Sequence, residues 1–506
     1  MSNRGKLLQL IFAGRRKSLR RALDEPLATQ QRQLQYLLRR AAKCEIGRRY
    51  DFPSIRSAEE FARRLPTVDY DSYADTIDRA RHGEKDILWP GTVRWFARSS
   101  GTTDRSKYIP VTSDGLRLCH RQGTFDVAAI VSKIFPDTHA FDGRLLTLGG
   151  SRRIEREGET ALTGDLSAIL IENSSFWSGW FRTPTRDVAL MSDFEQKIDA
   201  ICRQTVGQHV TSFAGVPSWN LMLMRRILEY TGRENLCQVW PDLEMFIHGG
   251  VGFAPYAEHF HRLIPSPRMR YLNTYNASEG FFGISDASER EDMLLMVDYG
   301  TYYEFDDGES IVPLEGVRCD RDYEMIISSC NGLWRYRLGD TVRFTDTAPY
   351  RIRISGRTKQ FINVFGEELM VSNAENALSE CCQATGARIN EYTVAPVYMT
   401  GDKGGRHQWL IEFDRRPDDL QQFALLLDRT LQRLNSDYDA KRHSTLTEPQ
   451  IDILPHGAFM LWMESRGKSG GQNKVPRLCN DRRYADSIEA LLRERGMTVE
   501  TINSNL

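Results

Sequence analysis

Three short stretches of this chain carry residue types suited to handling a nucleotide. The first is Ser99-Ser100-Gly101-Thr102-Thr103-Asp104-Arg105-Ser106-Lys107. It is rich in hydroxyls, holds one glycine, ends on a lysine and follows an extended-looking run, Val93–Ala97. Such a loop can bring backbone N–H groups, several hydroxyls and one ammonium close to a phosphate chain. No Gly-Lys-Ser/Thr follows the first glycine at Walker A spacing, and alone the cluster fits a plain turn as well. The second stretch, Tyr275-Asn276-Ala277-Ser278-Glu279-Gly280, offers an aromatic ring, a hydroxyl and a carboxylate. The third, Tyr336-Arg337-Leu338-Gly339-Asp340, reads as the end of a strand closing on an acid. A ring can stack on a purine. An acid after a strand can accept hydrogen bonds from ribose hydroxyls. A carboxylate beside phosphates suits Mg²⁺, which prefers hard oxygen ligands. These are the parts needed to hold ATP without a Walker motif.

At these stretches the chain resembles the acyl-acid amido synthetases typified by the plant auxin- and jasmonate-conjugating enzymes (the Gretchen Hagen family), within the wider adenylate-forming superfamily. Ser99–Lys107, with the Tyr108-Ile109-Pro110-Val111 that follows, resembles the family's phosphate motif. Tyr275–Glu279 resembles its Tyr-Ala-Ser-Ser-Glu motif, departing at Asn276 and Ala277, and Tyr336–Asp340 matches Tyr-Arg-x-Gly-Asp. Gly215-Val216-Pro217-Ser218-Trp219 is similar to a segment beside the acyl-acid pocket. Gln472-Asn473-Lys474-Val475-Pro476-Arg477 is similar to a C-terminal element. The matches run in order along nearly the whole chain.

The resemblance implies a role for each residue. Ser99, Ser100, Thr102 and Thr103 donate to phosphates, Gly101 allows close backbone approach, and Lys107 reaches pyrophosphate. Gly250 and Val251, after the expected strand Leu243–His248, line the adenine pocket, with Tyr275 stacked on or flanking the base. Ser278 contacts the α-phosphate, Glu279 holds Mg²⁺, Asp340 takes the ribose hydroxyls and Arg357 touches ribose or phosphate. Lys474, on a Gly-rich loop, moves against the acyl carboxylate during adenylation and then withdraws. Phe213, Val216, Pro217 and Trp219, with Trp177 and Trp180, wall the acyl pocket. Each has a plainer alternative: Tyr275 and the apolar group as core residues, Lys107 as an exposed strand lysine, Glu279 as a helix-start carboxylate, His248 as a packed histidine.

The implied reaction activates a carboxylic acid as an acyl-adenylate, then passes the acyl group to an amine, most simply an amino acid. Two alternatives stand beside it: transfer to a thiol of coenzyme A or a carrier protein, and a nucleotide-binding relative without turnover. The partners implied are small molecules, and the oligomeric state is left open.

Composition agrees with an ordinary globular enzyme. Of 506 residues, 67 are Lys or Arg and 68 Asp or Glu, for a net charge of −1. That balance gives no whole-protein field for nucleic acid. Nine cysteines, an odd number without a C-x-x-C pair, read as reduced thiols and a cytoplasmic location. No apolar run approaches the roughly 20 residues that span a bilayer, so no stable membrane insertion is expected. The basic N-terminus (Arg4, Lys6, Arg15, Arg16, Lys17, Arg20, Arg21) could form a lipid-facing helix. Continuation of its pattern to Arg40 favours a helix packed on the body instead.

The order of elements predicts a layered α/β body with a β-barrel-like part, over 1–356, then a smaller mobile α+β cap over 357–506. Val210–Phe213 reads as a strand leading into a helix over Ser218–Tyr230. In the cap, Ala374–Cys382 and Asp418 to about Leu434 read as helices. Glu391–Val397, Trp409–Phe413, Ile451–Leu454 and Ala458–Trp462 read as strands.

Overall fold

The computed structural model describes residues 3–99, 107–148, 154–158, 160–174, 179–191, 193–250, 253–357, 361–399, 404–466 and 475–503. Ser100, Gly101, Thr102, Thr103, Val251, Trp177 and Lys474 lie outside the described residues, and of Ser99 and Arg357 only the backbone is described. The chain divides into two compact units, residues 1–99 with 107–358, and residues 359–506.

In the first unit β1 (Trp95–Ser99) pairs antiparallel with β2 (Lys107–Val111), setting Ser99 opposite Lys107. β3 (Arg144–Thr147) belongs to another sheet, whereas β4 (Glu155–Glu157) and β5 (Ala161–Gly164) complete the order β2-β1-β5-β4. The remaining strands are β6 (Arg182–Thr183), β7 (Val210–Gly215), β8 (Met245–Gly249), β9 (Arg270–Ala277), β10 (Gly280–Ile284) and β11 (Met293–Leu295). They continue as β12 (Thr301–Asp306), β13 (Ile311–Pro313), β14 (Asp322–Ser329), β15 (Tyr336–Thr347) and β16 (Tyr350–Arg357). With β3 they form one sheet ordered β13-β12-β14-β15-β16-β11-β10-β9-β8-β7-β3-β6.

The sheet has two halves. From β9 to β6 the strands run parallel. Val210–Phe213 is buried throughout, as a strand covered on both faces must be. The expected βα unit is present: β7 leads into a helix over Pro217–Thr231 with Pro217 in its first turn, and the chain returns as parallel β8. From β9 to β13 the pairs are antiparallel and the sheet is strongly curled. Four strand spacings separate β9 from β15, roughly 19 Å across a flat sheet. Yet Tyr275 on β9 donates its hydroxyl hydrogen to Asp340 on β15 at 2.5 Å. The expected barrel-like part takes the form of this curl, closed around a core that includes Phe282, Tyr303, Tyr323, Tyr336 and Phe344.

The start of β15 is fixed by a buried arginine. Arg335 has φ 44° and is 6% exposed. Its guanidinium donates to both oxygens of Glu304 at 2.9 Å and to the carbonyls of Ala62 and Leu65. The flanking backbone pairs with Val68: Val68 N–H donates to the Arg335 carbonyl and Arg337 N–H to the Val68 carbonyl. Helical residues near the N-terminus thereby hold the strand that carries Asp340.

Several sequence expectations differ from the structure. Tyr336–Asp340 opens a twelve-residue strand instead of ending one. Ala458–Trp462, apolar and aromatic, reads as a strand but lies in a helix, Ala458–Ser465, that buries Ala458, Phe459 and Trp462. Helices Leu166–Glu172 and Ala254–Leu263 were not expected. The first helix, Asn3–Asp24, packs on helix Gln122–Ile134, and Arg15 pairs with Asp126 at 2.6 Å and Asp298 at 2.9 Å. No helix of the described residues is long and apolar enough to cross a membrane.

The second unit is α+β. β17 (Phe361–Ile362) and β18 (Leu369–Met370) form a hairpin. β19 (Arg388–Val397), β20 (Arg406–Arg415), β21 (Gln450–Leu454) and β22 (Glu500–Asn503) form a sheet in chain order. Helices Val371–Thr385, Leu420–Leu434 and Arg483–Glu494 belong to the same unit.

Arg335→Met leaves Glu304 buried without its counter-ion. It is expected to cost about 3–5 kcal/mol of stability in urea unfolding followed by fluorescence.

Candidate functional site

β8 lies between β7 and β9, with Gly215 opposite His248 and Gly249 opposite Thr274. The carboxyl ends of these three parallel strands therefore stand in a row. The residues that leave them are Val216-Pro217 from β7, Gly250 from β8 and Ser278-Glu279 from β9. Segments about 30 residues apart in sequence become neighbours. Ligands of parallel α/β sheets bind beyond such ends.

Each segment has a local cause. Gly215 has φ +142° and lets the chain turn sharply into the helix, where the Asn220 amide donates to the Val216 carbonyl at 3.0 Å. Gly250 has φ +85°, and a β-carbon there would stand 3.3 Å from Val216. The predicted acyl and adenine segments thus touch. Phe213 is fully buried, stacked at 4.3 Å on Phe246, and Trp219 is 8% exposed. Phe213 thus packs the strand from within. Trp180, by contrast, is 60% exposed.

Ser278 and Glu279 form the two-residue turn of the β9–β10 hairpin, since Ala277 pairs with Gly280. Both are half-buried. Glu279 is therefore on a tight turn, not at a helix start. The turn is held from a distant helix: the Phe281 N–H donates to the Cys119 sulfur at 3.0 Å. Cys119 lies in a π-helical turn, Gly115–Arg121.

Asp340 is aimed by a bulge. Thr341 pairs with Glu324 and Arg337 with Ile326, so Leu338, Gly339 and Asp340 together face Met325. Gly339 has φ +82°, which a side chain would strain. The bulge turns the Asp340 carboxylate towards Tyr275; the two residues are 7% and 5% exposed. The Tyr275 ring lies T-shaped to Phe282, with centroids 5.0 Å apart. Arg357 is the cross-strand neighbour of Asp340. Arg337 pairs with Asp306 at 2.5 Å and with Glu324, a structural role.

Two buried histidines flank the row. His248, at the end of β8, stacks on Phe253 at 4.3 Å, and burial pushes it down to about 3. His120, in the π-helical turn, is pushed down to about 4 by burial, with Asn276 pulling the other way. Both stay neutral near pH 7. Sequence reading found His248 as a packed residue but missed His120 and Cys119. They lie more than 150 residues from the motif they support, and no local pattern marks them.

Sequence comparison matches the GH3 family N-terminal domain over residues 15–158 and 153–269. The family's central domain matches 294–357 and its C-terminal domain 372–483. The chain is 23% identical over 553 residues to the indole-3-acetic acid-amido synthetase GH3.4 of Arabidopsis thaliana, covering 89% of each. It is 24% identical to the indole-3-acetic acid-amido synthetase GH3.8 of Oryza sativa subsp. indica, covering 89% of this chain and 88% of that one. The GH3.15 acyl acid amido synthetase structure superposes with a TM-score of 0.60 at 17% identity, over 100% of this chain and 98% of that one.

Gly339→Ala forces a left-handed side chain and disturbs the bulge. The expected loss is about 1–2 kcal/mol by thermal or urea unfolding. For the histidines the folded pKa lies below the unfolded value of about 6.5. Their stabilising effect is full above pH 6.5 and is lost as pH falls towards 4 and then 3. In urea unfolding between pH 7 and 4, His120→Gln is expected to flatten the acid-side loss relative to the parent protein.

Proposed function

The chain belongs to the GH3 family, and we propose that it works as an ATP-dependent acyl-acid amido synthetase whose adenylating site is the row beyond β7, β8 and β9, together with Asp340. Residues 1–356 form the adenylating body in this reading, and 357–506 the cap that carries Lys474.

A carboxylic acid is a poor acyl donor, because its oxygen leaves badly. Attack by the acid's oxygen on the α-phosphorus of ATP, with loss of pyrophosphate, turns that oxygen into part of a good leaving group. An amine then attacks the acyl carbon and AMP leaves. The first step concentrates negative charge on phosphoryl oxygens, so the protein's work is positioning and charge neutralisation.

Asp340 is proposed to accept hydrogen bonds from the ribose hydroxyls, oriented by the Tyr275 hydroxyl. Gly250 and Val251 lie against the base, and Tyr275 stacks on or flanks it. Ser278 meets the α-phosphate. Ser99, Ser100, Gly101, Thr102, Thr103 and Lys107 serve the β- and γ-phosphates, and Arg357 adds a cation near the ribose. Glu279 would hold Mg²⁺ through its hard carboxylate oxygens, and the ion would supply positive charge to offset that of the phosphates. Val216, Pro217, Phe213 and Trp219 lie at or behind the acyl end of the row. Their apolar character supports an aryl or alkyl carboxylate. An amino acid as the acceptor accords with a further relative, the Arabidopsis thaliana 4-substituted benzoates-glutamate ligase GH3.12, 24% identical over 272 residues and covering 47% of this chain. The nine free thiols support a cytoplasmic location.

The observation that carries this reading is the convergence of Val216, Gly250 and Glu279 at adjacent strand ends. The test is acid-dependent pyrophosphate exchange across a panel of aryl and alkyl carboxylates, followed by AMP release with mixed amino acids or with coenzyme A. Amino acid-dependent release is expected; release dependent on coenzyme A alone overturns the reading. Asp340→Asn is expected to raise the KM for ATP about tenfold, the scale of one charge-assisted hydrogen bond. Lys474→Ala is expected to abolish exchange while a preformed acyl-adenylate is still consumed.

A further inference from the structure

The turn that carries Glu279 has a second anchor, and it reaches the phosphate hairpin. Asn331 lies in the loop between β14 and β15 and is 1% exposed. Its side-chain amide donates to the backbone carbonyl of Glu279 at 3.2 Å. Its side-chain oxygen accepts the backbone N–H of Thr112 at 3.1 Å. Thr112 directly follows β2, at the end of that strand away from Lys107, where Trp95 pairs with Val111.

The other contacts leave this amide little freedom. The Thr112 hydroxyl donates to the Cys330 carbonyl at 2.7 Å and accepts the Gly115 N–H at 2.9 Å. A β-carbon on Gly115 would stand 1.8 Å from the Asn331 side-chain oxygen, so only glycine fits beside it. The Asn331 N–H is held by the Ser329 hydroxyl at 3.3 Å. One buried side chain therefore spans two segments that are 167 residues apart in the chain, Thr112 and Glu279, and bonds both through their backbones.

From this geometry we infer that Asn331 is a positioning residue that fixes the Glu279 turn relative to the exit of the phosphate hairpin. The inference rests on the reading of Glu279 as the magnesium ligand. Two groups that grip one phosphate chain must keep a set spacing, because a shift of about 1 Å costs heavily when charge is being placed. A bifunctional amide does this with both a donor and an acceptor. Its two functions match the two partners, since one end presents an N–H and the other a carbonyl. Aspartate at 331 keeps the acceptor for Thr112 but sets an oxygen against the Glu279 carbonyl. Alanine loses both bonds.

The test is isothermal titration of ATP into the full chain at a series of Mg²⁺ concentrations, with hydrogen exchange followed at the Phe281 and Thr112 amides. In Asn331→Asp and Asn331→Ala, the Mg²⁺ concentration needed for half-maximal tightening of ATP binding is expected to rise about tenfold. Affinity for ATP without magnesium is expected to stay within about twofold, and Thr112 protection to fall in the alanine variant. A role in folding alone would lower the binding-competent fraction and leave the magnesium midpoint where it was; that result overturns the inference. If both variants aggregate, Asn331→Ser, which leaves room for a bridging water, gives the same reading from the same midpoint. Glu279→Gln is the control. If it leaves the midpoint unmoved, the reading of Glu279 is wrong. If it moves the midpoint and the Asn331 variants do not, the positioning role alone is wrong.

Discussion

A tyrosine hydroxyl meets a carboxylate across the inside of a curled sheet, and much of the first unit is arranged around that contact. Tyr275 and Asp340 are 65 residues apart and sit four strands apart in the hydrogen-bonded order. A buried carboxylate without a donor costs several kcal/mol, and the Tyr275 hydroxyl offsets part of that. The contact can form only if the antiparallel half of the sheet bends. It also needs the three-residue bulge at Leu338–Asp340, and that bulge needs a residue tolerant of φ +82° at Gly339. The curl, the bulge and the glycine are successive conditions of one interaction.

The two halves of the long sheet divide the work. The parallel half ends three strands side by side and releases short segments from their carboxyl ends. The antiparallel half bends back and brings Asp340 to the base of the same row. For an acyl-acid amido synthetase this division suits the chemistry. Activating a carboxylate with ATP demands fixed donors and fixed charge more than it demands proton shuttles. The two histidines nearest the row are buried and neutral, which agrees with a site built on position.

Stability and function share residues here. Arg335 adopts a left-handed backbone, and its guanidinium ties Glu304 to the carbonyls of Ala62 and Leu65 at the end of helix Ala58–Arg64. Strain of about 1–3 kcal/mol at such a residue persists only where its surroundings over-determine it. The residue that follows is Tyr336, the first of the motif ending at Asp340. The strained arginine therefore sets where the strand begins, and so where the aspartate falls. Cys119, holding the hairpin on the other side, does similar work through a sulfur and a backbone amide.

Much of this was legible in the amino-acid order. Residue type and spacing marked the hydroxyl loop, the Tyr–Ser–Glu stretch and the Tyr-Arg-x-Gly-Asp stretch. A short stretch between two helical patterns, leading into Gly-Val-Pro, marked the βα unit at Val210, because helix periodicity and a proline-started helix both leave local signatures. Other features left none. Ala458–Trp462 was misread because a short apolar run suits a strand or a buried helix turn, and packing decides between them. The Ala277–Gly280 hairpin lacks the Asn-Gly or Asp-Gly pair that announces such turns. What the sequence determined by itself was which groups are available and which local elements carry them, since both depend on neighbours a few residues away. What only the tertiary structure decided was which groups meet: Tyr275 with Asp340, Val216 with Gly250, Asn331 with Glu279 and Thr112. Those meetings depend on sheet order, curl and register, which are set by contacts between residues far apart in the chain.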